Sequence, residues 1–150
     1  MLKIKNITKV FNKDTENEKI ALANVSVEIK EGEVVSIIGG NGSGKSTFLN
    51  IISGIYSPDC GEVIIDGVDV TKLPEYERAK YLGRVFQDPL MGTAANMSIL
   101  ENLYVAKRKG MKKTLKWGFN KHDTETFKQK LATLNLGLEE RIEQKIGLLS

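Results

Sequence analysis

Residues 34–47 read Val34-Val35-Ser36-Ile37-Ile38-Gly39-Gly40-Asn41-Gly42-Ser43-Gly44-Lys45-Ser46-Thr47. The opening apolar run, rich in β-branched residues, has the composition of a strand buried on both faces of a mainly parallel sheet. The remainder fits the pattern G-x-x-x-x-G-K-[ST]. Immediately after it, Phe48, Leu49, Ile51 and Ile52 fall at helical spacing before Gly54 and Pro58 stop the run. Strand, glycine loop and helix in direct succession form the setting in which this pattern cradles a polyphosphate. Glycine allows positive φ and close approach, so backbone N–H groups can wrap the anion. The helix starting near Lys45 aims its free N–H groups and positive dipole end at the same place. Lys45 is expected at the β- and γ-phosphates, Ser46 as a hydroxyl ligand to Mg²⁺, and Thr47 at the α-phosphate. The bland alternative is a glycine turn before an ordinary helix, which the full pattern and its flanks disfavour.

Upstream, residues 2–10 read as a strand, 12–19 as a charged loop and 23–30 as a second strand, with Val25, Val27 and Ile29 on one face. The turn Glu31-Gly32-Glu33 closes it. Downstream, residues 61–66 read as a strand ending in an Asp66-Gly67 turn, 74–81 as a short charged helix, and 82–86 as another strand. After Gln87-Asp88-Pro89 the spacing changes to helical, with Ile99, Leu103 and Ala106 on one face and Phe127, Leu131 and Leu134 on another. The expected organisation is an α/β core over residues 1–87 and a helical subdomain over 88–150.

The chain has 150 residues, 41% of them hydrophobic, which suits one compact domain or part of one. With 22 basic and 19 acidic residues the net charge is +3, too balanced to argue for a nucleic-acid surface. Cys60 has no companion for a disulfide or a metal site, and residues 1–6 lack the apolar run of a signal peptide. A reducing, cytoplasmic location is the expectation. No uncharged run approaches the roughly 20 apolar residues of a membrane-spanning helix, so a membrane role would come through a partner.

Many unrelated enzymes share the glycine loop, so further residues must decide among them. Ser36-Ile37-Ile38-Gly39 with the loop, Ser53-Gly54-Ile55-Tyr56, Pro58, Gly61-Glu62-Val63, Ile65-Asp66-Gly67 and Val85-Phe86-Gln87-Asp88-Pro89 together resemble the ATPase subunits of ABC transporters. The resemblance runs from Leu2 to Ser150. It implies a P-loop NTPase (RecA-like) α/β core with a mixed sheet, followed by an incomplete helical subdomain. It also implies binding of ATP with Mg²⁺ by Gly39, Asn41, Gly42, Ser43, Gly44, Lys45, Ser46 and Thr47. Phe11 stands where the family has an aromatic residue stacked on adenine; its alternative is a core phenylalanine of the first strand. Gln87 resembles the glutamine at the junction of core and helical subdomain, which contacts Mg²⁺ or the attacking water and senses the membrane partner. Its amide can both donate and accept hydrogen bonds. Lys45 and Gln87 are thus the candidate catalytic residues.

Leu149 and Ser150 resemble the opening of the family's signature motif, which binds the γ-phosphate held by the opposite subunit of a dimer. The acidic strand with its catalytic glutamate and the switch histidine would lie beyond. His122 lies in a polar stretch and is assigned to neither role. Phosphoryl transfer to water needs a group that positions the nucleophile as well as a charge clamp, so hydrolysis is expected of the full-length subunit and not of this chain alone. Missing strands are expected to leave Val35, Ile37 and Val85 uncovered, favouring association.

The resemblance further implies a transmembrane permease partner near Gln87 and the helical subdomain, a second ATP-binding subunit, and a place on the inner face of the membrane. Residues 91–98 with Glu101-Asn102-Leu103 are similar to a bacterial import-type branch found with extracellular substrate-binding lipoproteins, some associated with aromatic amino acids. The alternatives are a soluble ABC-family ATPase and a nucleotide-binding module without turnover. A basic stretch, Lys107-Arg108-Lys109, Lys112-Lys113 and Lys116-Trp117 with Phe119, could meet anionic lipid, although a solvated loop is the simpler reading.

Overall fold

The structure is a computed structural model that describes residues 1–109 and 120–149. It divides into two compact units, Met1–Gly83 and Arg84–Ser150. In the first, strands β1 (Leu2–Phe11), β2 (Lys19–Ile29), β3 (Cys60–Ile65) and β4 (Val68–Asp69) form one sheet in the order β2-β1-β3-β4, every pair antiparallel. Helix α1 spans Lys45–Ser53 and α2 spans Glu75–Arg78. Alternation along β1 sends Ile4 inward and Lys3 and Lys5 outward. A register shift with Asn6 at φ 51° then brings Ile7 inward as well. Asp66 and Gly67, both at positive φ, form the turn the sequence predicted, and the structure makes it a tight hairpin from β3 to β4, a strand the sequence did not show.

Helix α1 is bounded by two left-handed glycines. Gly44 opens it at φ 89°, and Gly54 closes it at φ 88° with its N–H on the carbonyls of Asn50 and Ile51. Phe48 and Ile51, one turn apart, join Ile4, Ile7, Leu22, Val63, Ile65 and Val70 in the core. The helix that follows the glycine loop therefore has one face packed into the unit's core.

Two strand assignments are corrected. Residues 34–38 form no strand, and Val34 and Ile38 are 96% and 94% exposed. Residues 82–86 likewise form no strand; Leu82 packs partly on the core, while Val85 is 97% exposed. Their composition suits two-sided burial, but a strand exists only beside another strand, and none of the described residues supplies a ladder there. The exposure of Val35, Ile37 and Val85 agrees with the expectation that their faces are uncovered. A third difference is smaller: β2 begins at Lys19, because β1 reaches Phe11 and pairs its last residue with it.

The second unit contains a 3-10 turn at Pro89–Gly92, helices α3 (Ile99–Lys107) and α4 (Lys121–Ala132), and a 3-10 turn at Ile146–Leu148. Asp88 caps the first turn by accepting from the Leu90 N–H at 2.9 Å. Helix α3 starts with a capping box: the Glu101 N–H donates to Ser98 Oγ, and the Ser98 N–H donates to Glu101 Oε2. Ile99, Leu100, Phe127, Leu131 and Ile142 form its core. Of the two predicted faces, Ile99, Phe127 and Leu131 are buried and Leu103 half-buried, but Ala106 and Leu134 face outward. Backbone bonds from Ile99, Leu100, Ile146 and Gly147 to Gln144, Ile142, Met97 and Ala95 tie the start of α3 to the last described residues. Residues 110–119, with Lys112, Lys113, Lys116, Trp117 and Phe119 of the basic stretch, and Ser150 lie outside the described residues.

Candidate nucleotide-binding site

The glycine loop and the start of α1 enclose a cavity of about 270 Å³, lined by Asn41 to Thr47 together with Phe11 of β1 and Lys19 and Ala21 of β2. Its floor follows from helix geometry. The N–H groups of Lys45, Ser46 and Thr47 stand in the first turn and have no intrahelical acceptor. No acidic residue occupies that turn, so nothing offsets its positive end.

The loop approaches β2 so closely that a Cβ on Gly44 would collide with the Ala21 carbonyl oxygen and lie 3.0 Å from Leu22 Cδ2. Gly44 is therefore required both for its positive φ and for space. A Cβ on Gly39 would meet Ser43 Oγ at 2.6 Å. Lys45 Nζ donates to the carbonyls of Gly39 and Gly40, each at 2.7 Å, and lies 3.3 Å from Ser43 Oγ. Its charge is thus held against neutral acceptors of the loop itself. A phosphate offers charged acceptors, which form stronger bonds with an ammonium. Ser46 is exposed, and its hydroxyl has no hydrogen-bond partner among the described residues.

At the other end of the cavity, Phe11 is half-buried and meets Tyr56 edge-on, with ring centroids 5.4 Å apart and planes at 78°. Lys9 Nζ stands 5.6 Å from the Phe11 centroid and is paired with Asp59 at 3.1 Å. Asp59 also accepts from the Val10 N–H at 2.6 Å, which, with Lys9 beside it, holds its carboxyl below the usual aspartate value of 3.8. The strand end that carries Phe11 is therefore pinned from one side by Asp59 and steadied from another by Tyr56.

The structure gathers Phe11 and residues 41–47 around one cavity, with Gly39 behind the loop. Gln87 belongs to the second unit, where it is exposed, and the cavity is built from the first unit alone. The sequence reading missed Lys19, Ala21 and Tyr56. Lys19 had been placed in a loop, and the signal that would have found it is its pairing with Phe11 across β1 and β2. Among the described residues no group of three or more His, Cys, Asp or Glu could hold a metal ion, and no helix is long and apolar enough to cross a membrane.

The profile of the ABC transporter family matches residues 22–150. A tyrosine transport ATP-binding protein of Clostridioides difficile is 41% identical over 150 residues, which is 100% of this chain and 59% of that protein. A methionine import ATP-binding protein of Histophilus somni is 41% identical over 90 residues, 58% of this chain and 26% of that protein. Among solved structures, a dimeric ATP-binding cassette in a post-hydrolysis state bound to ADP and Pi superposes with a TM-score of 0.73 at 36% identity, covering 100% of this chain and 63% of that one. A nucleotide-free cassette from an ABC transporter gives 0.72 at 32% identity, covering 100% and 59%. The chain thus spans 59% of the length of the tyrosine transport relative. With the glycine loop seated between sheet and helix, and the family profile spanning most of its length, the chain belongs to the ABC transporter family and has the fold of its ATP-binding cassettes.

Proposed function

We propose that this protein binds ATP with Mg²⁺ in the cavity between Phe11 and the glycine loop, and that it serves as the ATP-binding subunit of a membrane importer. The observation that carries the reading is the convergence on one cavity of an aromatic ring, the free N–H groups of the first turn of α1, and the Lys45 ammonium. Each group suits one part of a nucleotide. Phe11 offers a π-face to the base, Asn41, Gly42, Ser43 and Gly44 offer backbone to the phosphates, and Lys45 exchanges its carbonyl partners for the β- and γ-phosphates. Ser46 would hold magnesium through its exposed hydroxyl, with phosphate oxygens and water completing the shell, since this ion takes few protein oxygens. The ion, when bound, neutralises charge developing on the transferred phosphoryl group.

Gln87 is proposed as the second contact to magnesium or the attacking water. The exposed Leu90 and Met91 that follow it suit the contact with a permease subunit. The importer reading, with a second ATP-binding subunit and an external substrate-binding protein, draws on the relatives named for tyrosine transport and methionine import. An amino acid is the proposed cargo class.

Titration calorimetry of the purified protein with ATP in the presence of magnesium tests the site. Binding that is lost in Lys45→Ala supports it; equal affinity in both proteins would sink it.

A further inference from the structure

Lys19 lines the nucleotide cavity, yet no hydrogen bond or ion pair engages its side chain among the described residues. Its Nζ lies 3.8 Å from where a Cβ on Gly42 would stand, so it reaches the glycine loop from the β2 side. It is also the residue directly opposite Phe11 in the antiparallel register of β1 and β2. Facing residues of such a pair keep their Cβ atoms within roughly 5.5 Å, so the Lys19 side chain starts beside Phe11 and ends at the loop. Lys45, by contrast, is anchored on the carbonyls of Gly39 and Gly40, at the start of the loop. The cavity therefore has two ammonium groups at different places: one on the loop's first residues, and one between the loop and the aromatic ring.

A nucleotide whose base lies on Phe11 and whose terminal phosphates lie on Lys45 must pass its ribose and α-phosphate through the space between them. On the proposed nucleotide site, we infer that Lys19 is a second phosphate-binding cation of this protein, holding the α-phosphate where it leaves the ribose. An α-phosphate is common to nucleoside di- and triphosphates, so this contact contributes equally to both. It adds nothing to discrimination of the γ-phosphate, which falls to Lys45 and magnesium. It also does not depend on the base, so it favours retention of a spent diphosphate as much as capture of a fresh triphosphate.

The test is titration of the wild type, Lys19→Met, Lys19→Arg and Lys45→Ala with ATP and with ADP, magnesium present throughout. Lys19→Met is expected to weaken both nucleotides by the same factor, about fivefold, the upper range for a single exposed charge pair. Lys19→Arg should stay within about twofold of wild type, since it keeps a cation of similar reach. Lys45→Ala should cost ATP much more than ADP. Unchanged affinity for both nucleotides in Lys19→Met, with binding still lost in Lys45→Ala, would overturn the role of Lys19 and leave the site standing. A loss confined to ATP would overturn the α-phosphate assignment. A wild type that binds neither nucleotide would overturn the site itself, and this inference with it.

Discussion

Arg78 Nη1 donates to the carbonyl of Ile51 at 2.5 Å and so closes the C-terminal end of the helix that begins at the glycine loop. The same guanidinium bonds the carbonyls of Ile52, Leu73 and Thr71, and Arg78 is only 1% exposed. A cation at a helix C-terminus meets the negative end of the dipole, and here every acceptor is neutral backbone. Burial lowers the guanidinium's pKa, against which the nearby Asp69 acts, and arginine keeps its proton nonetheless.

Replacing this group should therefore expose what it satisfies. Arg78→Met would leave the carbonyls of Thr71, Leu73, Ile51 and Ile52 without that donor, and the expected cost is roughly 3 kcal/mol. Urea denaturation would register it as a lower midpoint. Arg78→Lys keeps the charge but can reach fewer acceptors, so its midpoint should fall between the two. A midpoint within error of wild type for Arg78→Met would refute the bracing role.

Two glycines separate the effect of φ from that of space. Gly44 is at φ 89° with the Ala21 carbonyl in the way of any Cβ, whereas Gly67 is at φ 80° with nothing nearby. Gly67→Ala should cost about 1 kcal/mol, the left-handed penalty alone. Gly44→Ala should cost roughly 3 kcal/mol, because the loop must also retreat from β2. Nucleotide affinity should fall only for Gly44→Ala, which denaturation and titration of the two variants would check together.

Asp59 gives a pH dependence whose sign can be worked out. Its folded pKa is depressed, first by the Val10 N–H and then by Lys9, below the ordinary value of 3.8. The folded state thus prefers the ionised form. Its contribution is fully present above the unfolded value and fades as pH falls through the folded one. Asp59→Asn keeps an oxygen for Val10 and removes the titration, so stability measured from neutral to acid pH should decline less steeply than in wild type. An identical decline would assign the acid sensitivity elsewhere.

Phe11 should matter more for the base than Tyr56. Phe11→Ala is expected to weaken ATP about tenfold, within the range found when a stacking ring is removed from a base. Tyr56→Ala removes only the edge contact that steadies the ring, and a loss of about twofold is expected. Restoration by Phe11→Tyr would distinguish stacking from a purely structural loss, with affinity as the readout.

What the sequence determined by itself is local. The glycine loop, the caps of α1 at Gly44 and Gly54, the span of β1 and the Asp66-Gly67 turn are legible because each is set by residues a few positions apart. The capping box of α3 is local too, Ser98 and Glu101 being one turn apart, although it was recognised only in the structure. Residues 34–38 and 82–86 mark the limit of that reading. Their composition is that of strands, but pairing is a property of two segments, and no described segment forms a ladder with them.

Tertiary structure alone decided the remainder. It set Lys19 opposite Phe11, laid Ala21 against Gly44, turned Tyr56 onto the Phe11 edge and brought the Arg78 guanidinium to the end of α1. None of these partners is adjacent in sequence. Each is fixed by the antiparallel register or by the packing of α1 and α2, and those depend on how the whole unit buries Ile7, Ile51, Val63 and Val70. A motif can therefore announce that a phosphate is bound, but which other side chains surround the nucleotide is settled only when distant strands pair.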